Sequence, residues 1–278
     1  MRIGVTSLGM AGLPLSQALR TMVEVGAECT ELNGRPGVHP DITWAPEDYP
    51  KVKKMLRDVG IVATSLGSYN DFAQLDAGAL EAQVQQLVGY AQRAAELGIP
   101  VIRAMCADVK LGHTRDEFRD SIIRGFAETV RRIEGLGVRM GIENHGLLAN
   151  DGDFLKGIVQ EINSPLLGLT LDTGNYAWAG HPPETVKRYF VELLPYVFSV
   201  HVKDGVWKDD KFEFVPAGEG ELDLKKLLDD LAARGYQGAV VSEFEGQGDY
   251  KEGTRKSVAY LKALRDAVIS RRDRGVSR

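Results

Sequence analysis

"ALEAQVQQLVGYAQRAAELGIPVIRAM", residues 79–105, holds the unit that is repeated along the whole chain. Leu80, Val84, Leu87, Ala91, Ala94 and Leu97 keep the three- and four-residue spacing of a one-sided helix, which predicts a helix over 79–98. Gly98 closes it, since glycine takes the left-handed helix-ending conformation without a Cβ clash. "PVIRAM" (100–105) then reads as a short strand. "GEGELDLKKLLDDLAARGYQ" (218–237) follows the same formula, with Gly235 closing its helix before the strand "GAVVSEFE" (238–245).

Working outward, six more strand runs alternate with helical patterns: "RIGVTSL" (2–8), "AECTELN" (27–33), "IVATSLG" (61–67), "VRMGIEN" (138–144), "LGLTLDT" (167–173) and "VFSVHVKD" (197–204). Strands that alternate with helices favour a parallel sheet. Eight such units in 278 residues point to an α/β fold, a single (β/α)8 TIM barrel domain over residues 1–278. A doubly wound open sheet fits less well. "SLGMAGLPL" (7–15), after the first strand, has glycines at 9 and 12 but not the GxGxxG spacing of a phosphate loop. No nucleotide, nicotinamide or flavin cofactor is therefore expected.

Composition narrows the partners. Lysine and arginine number 34 against 39 acidic residues, a net charge of −5, which argues against nucleic acid. The basic run "SRRDRGVSR" at the end reads as a solvated tail. Cys29 and Cys106 are the only cysteines and have no metal-like spacing, as suits a reducing, cytoplasmic compartment. No apolar run approaches membrane-spanning length, so a soluble protein without membrane partners is expected. A homo-oligomer is compatible with all of this.

In a barrel of this kind, chemistry sits at the C-terminal ends of the strands. The last four strand ends offer Glu143, Asp172, His201 and Glu243. Glu143 and Asp172 are 29 residues apart, as are Asp172 and His201. From His201 to Glu243 is 42, and "GVWKDDKFEFVPAGEG" (205–220) accounts for the excess as a β-hairpin inserted after the seventh strand. Singly, a carboxylate at a strand end caps a helix or meets a lysine, and a strand histidine is a satisfied core group. Four in register are not explained that way. Clustered carboxylates need a cation or strongly raised pKa values. Three carboxylates and an imidazole suit Mn2+ best, with Mg2+, Co2+ or Zn2+ also acceptable.

The pattern "GIEN…LDTGN…HVKD…GEGELD…SEFE" resembles the xylose isomerase-like TIM barrels, a superfamily of sugar-phosphate isomerases and epimerases that includes ketose 3-epimerases and inosose-processing enzymes. The resemblance spans essentially the whole chain and is sharpest from residue 138 onward. It implies metal ligation by Glu143, Asp172, His201 and Glu243, with Glu143 and Glu243 also moving the proton, as in the ketose 3-epimerases. Many members carry histidine three residues after the metal-binding aspartate. This chain has Asn175 there, so that contact is not carried over.

The chemistry expected is proton transfer beside the carbonyl of a small sugar or polyol ketone, through a metal-stabilised enediolate. His145, Lys203, Asn175 and Trp178 are the candidate substrate contacts. For Lys203 the competing reading is a salt bridge to Asp204 or another carboxylate, and for His145 a bond to a backbone carbonyl. Tyr176, Trp178, Trp207 and Phe212 could pack on a sugar ring or on one another. A lyase or dehydratase would use the same residues. A nuclease would need histidines at the early strand ends, where "TSLGSYND" (64–71) and "RAMCADVK" (103–110) have none. A non-catalytic sugar or metal sensor is disfavoured, because both acid/base carboxylates are present. Loops 9–14, 33–45, 67–75 and 105–113 are expected to set specificity.

Overall fold

The computed structural model describes residues 1–107, 110, 112–209 and 211–276, with side chains through Arg271. Eight parallel strands close into a barrel: β1 (Arg2–Thr6), β2 (Cys29–Asn33), β3 (Val62–Gly67), β4 (Val101–Ala104), β5 (Arg139–Glu143), β6 (Leu167–Asp172), β7 (Val197–Val202) and β10 (Ala239–Ser242). Around the ring the order is β1-β10-β7-β6-β5-β4-β3-β2. The antiparallel hairpin of β8 (Asp204–Lys208) and β9 (Lys211–Val215) follows β7, beginning one residue before the 205–220 stretch expected to hold it. The helices are α1 (Leu15–Glu24), α2 (Tyr49–Val59), α3 (Ala77–Leu97), α4 (Arg115–Ile133), α5 (Gly152–Ile162), α6 (Asn175–Trp178), α7 (Pro183–Leu193), α8 (Leu224–Ala233) and α9 (Tyr250–Val276). Among the described residues, no helix is long and apolar enough to cross a membrane.

Local chemistry explains the element ends. The Asp76 carboxylate accepts the Ala79 N–H and starts α3; Gly98, at φ 72°, ends it. Alternation along each strand then separates two environments. Ile102, Leu171, Val200 and Val240 join helix residues such as Leu87, Phe126, Leu193 and Leu228 in one large outer core. Inside the ring the apolar cluster is small, made of Cys29, Ala239 and Val241. A Cβ on Gly4 would come 2.6 Å from Cys29 Sγ, so only glycine lets these strands approach. Charged side chains on the C-terminal side of this plug include Glu31, Arg103 and His201, each two residues beyond an inward position of its strand.

Asp204 ties the hairpin down. Its carboxylate is buried and accepts the backbone N–H groups of Gly205 and Leu222 on one oxygen and of Gly218 and Gly220 on the other, at 2.9–3.3 Å. It pairs with this loop and not with its neighbour Lys203. A Cβ on Gly220 would lie 2.1 Å from Asp204 Oδ1, which accounts for the glycine. Asp204→Ala would strand several buried donors at once and should destabilise the protein by about 3 kcal/mol in urea unfolding. Loss of less than about 0.5 kcal/mol would show that water replaces the carboxylate there.

Candidate metal centre

Barrel closure brings Glu143, Asp172, His201 and Glu243 together. Each offers a ligand atom, and those atoms all lie within 4.8 Å of one another. Asp172 and His201 are direct partners across β6 and β7. Glu143 pairs with Thr170, and Val241 pairs with His201, so Glu143 and Glu243 are each displaced by two residues in register. The tilt of barrel strands turns that stagger into a common height.

The imidazole of His201 sits at the centre of a buried hydrogen-bonded layer. Its Nδ1 is 3.3 Å from Glu143 Oε1 and 3.2 Å from Glu243 Oε2, while Nε2 is 3.0 Å from Glu31 Oε2. Asp172 Oδ1 accepts the N–H groups of Gly174 and Asn175, both at 2.9 Å. Asp172 Oδ2 is buried and accepts no hydrogen bond among the described residues. The Lys203 ammonium stands 3.4 Å from it, close enough for ionic attraction but outside hydrogen-bond geometry. A buried carboxylate oxygen left in this state has the character of a ligand waiting for a cation.

The electrostatics follow from burial opposed by neighbours. Burial pushes the Asp172 carboxyl up, and with Glu143 and Glu243 nearby it reaches about 7 despite Lys203. Burial also acts on Glu143, but Arg103 and then His201 outweigh it and hold that group at about 2. Glu243 is drawn well below the ordinary range against burial by Lys203 and His201. His201 is driven up against burial by Glu31, Glu143 and Glu243.

The expected substrate contacts divide into two groups. His145 is half exposed at the mouth, its Nδ1 3.8 Å from Glu143 Oε2, and Trp178 is 49% exposed at the end of α6. Lys203 and Asn175 are buried. The Lys203 ammonium faces Asp172, Glu243 and Glu245 at 3.2–3.4 Å and donates to Asn175 Oδ1 at 3.2 Å. Asn175 Nδ2 donates to the Asn144 carbonyl. Tyr176 is fully buried against Tyr189 and His181, and Trp207 packs on Phe212 at 4.7 Å, so these aromatics fill the loops. Of the expected specificity loops, 105–113 lies partly outside the described residues.

Two members of the layer were not singled out from the sequence: Glu31 on β2 and Arg103 on β4. Arg103 Nε donates to Glu31 Oε1 and Nη1 to Glu143 Oε2, each at 3.0 Å. The readable signal was a charge inside a buried strand, the same signal that marks His201. A groove of about 980 Å3 between α2 and α3, lined by Tyr49, Lys53, Arg57 and Arg93, holds none of this buried charge.

Comparison with known proteins agrees with this architecture. Residues 19–264 match the model of the xylose isomerase-like TIM barrel family, and the chain belongs to that family. An uncharacterized protein of Methanocaldococcus jannaschii is 29% identical over 163 residues, which is 56% of this chain and 53% of that protein. The chain thus spans about half the length of that curated relative. Two solved structures share the fold over nearly their full lengths. A D-tagatose 3-epimerase-like protein has a TM-score of 0.79 at 22% identity, covering 98% of this chain and 99% of its own. The IolI protein, solved with a zinc atom, has a TM-score of 0.75 at 18% identity, covering 98% and 99%.

A divalent ion entering the cluster must displace the proton that Asp172 holds below a pH of about 7, together with the second proton of His201, whose neighbours drive its titration up. The sign is set by which form binds: only the carboxylate ligates, so affinity for Mn2+ should climb as pH rises toward 7. Calorimetric titrations from pH 5.5 to 7.5, in buffers of different ionisation heat, should show that climb and a net release of protons. A flat affinity with no proton release would remove Asp172 from the ligand set.

Proposed function

We propose that this barrel is a divalent-metal-dependent sugar isomerase or epimerase. The observation that carries the proposal is the convergence of Glu143, Asp172, His201 and Glu243, with Asp172 Oδ2 buried and accepting no hydrogen bond among the described residues. Charge supports it as well. The buried layer holds four carboxylates, Glu31, Glu143, Asp172 and Glu243, and two fixed cations, Arg103 and Lys203. One divalent ion with a neutral His201 would balance that layer. A neutral substrate, a free sugar or polyol ketone, then suits the mouth better than a phosphorylated one. Mn2+ fits the mixed oxygen and nitrogen donors best, and the zinc atom of the IolI structure supports a divalent ion at this site.

The four residues would hold the ion, which as a Lewis acid would polarise the substrate carbonyl and its neighbouring hydroxyl. The proton itself is the work of the protein. Glu143 and Glu243 face His201 Nδ1 from different strands, so one could take a proton from one face of a carbon and the other return it to the opposite face. Arg103 on Glu143 and Lys203 on Glu243 keep both carboxylates ionised and orient them. His145 and Trp178, both about half exposed, would contact the sugar from the rim.

Two measurements separate these roles. In D2O, a panel of ketoses and inososes should acquire solvent deuterium at a carbon beside the carbonyl in one member; a dehydrated product would instead move the assignment to a lyase. Glu243→Gln should lower turnover by roughly 10²–10⁴-fold, and saturating Mn2+ should not restore it. His201→Ala removes a ligand and no proton carrier, so excess Mn2+ should restore part of its activity. Near-normal rates for Glu243→Gln in excess Mn2+ would leave Glu243 as a ligand only.

A further inference from the structure

We infer that Glu31 and Arg103 are positioning residues for the metal centre. Glu31 determines which ring nitrogen of His201 is offered to the ion, and Arg103 locks Glu31 and Glu143 into one frame. This rests on the metal site proposed above and adds to it a second layer from the opposite half of the barrel.

The assignment of the ring nitrogens follows from hydrogen-bond inventory. A neutral imidazole carries one N–H, and an ionised carboxylate can only accept. Both Glu31 oxygens accept, Oε1 from Arg103 Nε and Oε2 from Ser65 Oγ, which is the pattern of a carboxylate paired with a fixed cation. Both ring nitrogens face carboxylates, Nε2 facing Glu31 Oε2 at 3.0 Å; with an ion on the side shared by Glu143 and Glu243, the single remaining proton belongs on Nε2, where Glu31 accepts it. The lone pair is then left on Nδ1, the nitrogen that faces Glu143 and Glu243. Carboxylates placed behind metal-binding histidines act in this manner. Glu31 is not one of the residues whose donor atoms converge, so it stands behind the ring and outside the ligand set.

The surroundings are shaped to hold Glu31 still. Ser65 Oγ donates to the same Oε2 at 2.9 Å, and Arg103 Nε donates to Oε1 at 3.0 Å. Arg103 Nη1 reaches Glu143 Oε2, and its guanidinium lies 5.1 Å from the centre of the Tyr69 ring. Gly67 leaves the necessary room: a Cβ there would be 2.7 Å from Arg103 Nη2 and 3.0 Å from Glu31 Oε1. Stability alone gives no reason for this arrangement. A buried ion pair is commonly no more stable than apolar residues of the same size. Contact with His201 and Glu143 does give one.

The test uses Zn2+, which binds such donors and is diamagnetic. In the Zn2+-loaded wild-type protein, imidazole 15N NMR should show the His201 proton on Nε2, slow to exchange and shifted downfield by Glu31, with the metal on Nδ1. Glu31→Gln should weaken Zn2+ binding, measured calorimetrically, by roughly 10–100-fold and remove the downfield shift. Because Glu31→Gln leaves Arg103 partly unpaired and could fail to fold, Glu31→Met/Arg103→Met is the companion. Its melting without metal should match wild type or exceed it, while its Zn2+ affinity falls similarly. A folded variant of either kind that binds Zn2+ as tightly as wild type overturns the inference, as does a His201 proton found on Nδ1. Should neither variant fold, the wild-type spectrum decides. A wild-type protein that binds no Zn2+ is a different result, for it removes the metal site itself.

Discussion

Four carboxylates buried in one layer of a barrel mouth repel each other, and they are far from the water that would screen them. The rest of the site is arranged around that constraint. Arg103 bridges Glu31 and Glu143, Lys203 lies among Asp172, Glu243 and Glu245, and His201 touches three of the four buried carboxylates. Even so, the compensation is incomplete. Asp172 is driven toward protonation and keeps one oxygen without a hydrogen bond. On the proposed reading, one divalent cation would make up the shortfall, with these side chains as its donors.

The fold carries this layer through close approach. Gly4 packs on Cys29 beneath it, and Gly67 opens the space that Glu31 and Arg103 fill. Lys203 and Asp204 are neighbours in sequence but serve different ends: the ammonium turns into the charged layer, while the carboxylate anchors the loop that follows the hairpin. Folding of the loop and placement of the lysine are thereby coupled through one stretch of backbone.

Much of this could be read from the chain. Helix periodicity and glycine stops place seven of the eight barrel strands to within two residues at each end, because those signals are local; the last strand, expected over 238–245, ends three residues earlier at Ser242. The recurrence of 29 residues locates Glu143, Asp172 and His201 at matching strand ends, and the hairpin accounts for Glu243. Glu31 and Arg103 escaped for a physical reason. Each is a single charge in an otherwise ordinary strand, and Glu31 meets His201 across 170 residues only when the barrel closes. The aromatics after β6 were ambiguous for a similar reason: Tyr176 and Trp178 are two residues apart, yet one is buried and the other half exposed. Lys203 was readable as either a substrate contact or an ion-pair partner, and its neighbours among the carboxylates decide which side-chain contacts it makes.

The central claim is that one divalent ion completes this charge layer. Anomalous diffraction from crystals equilibrated with Mn2+ tests it most directly. The account predicts one anomalous peak per chain, bounded by Glu143, Asp172, Nδ1 of His201 and Glu243 at about 2.0–2.3 Å. Crystals at saturating Mn2+ with those four side chains ordered and no peak between them would contradict it.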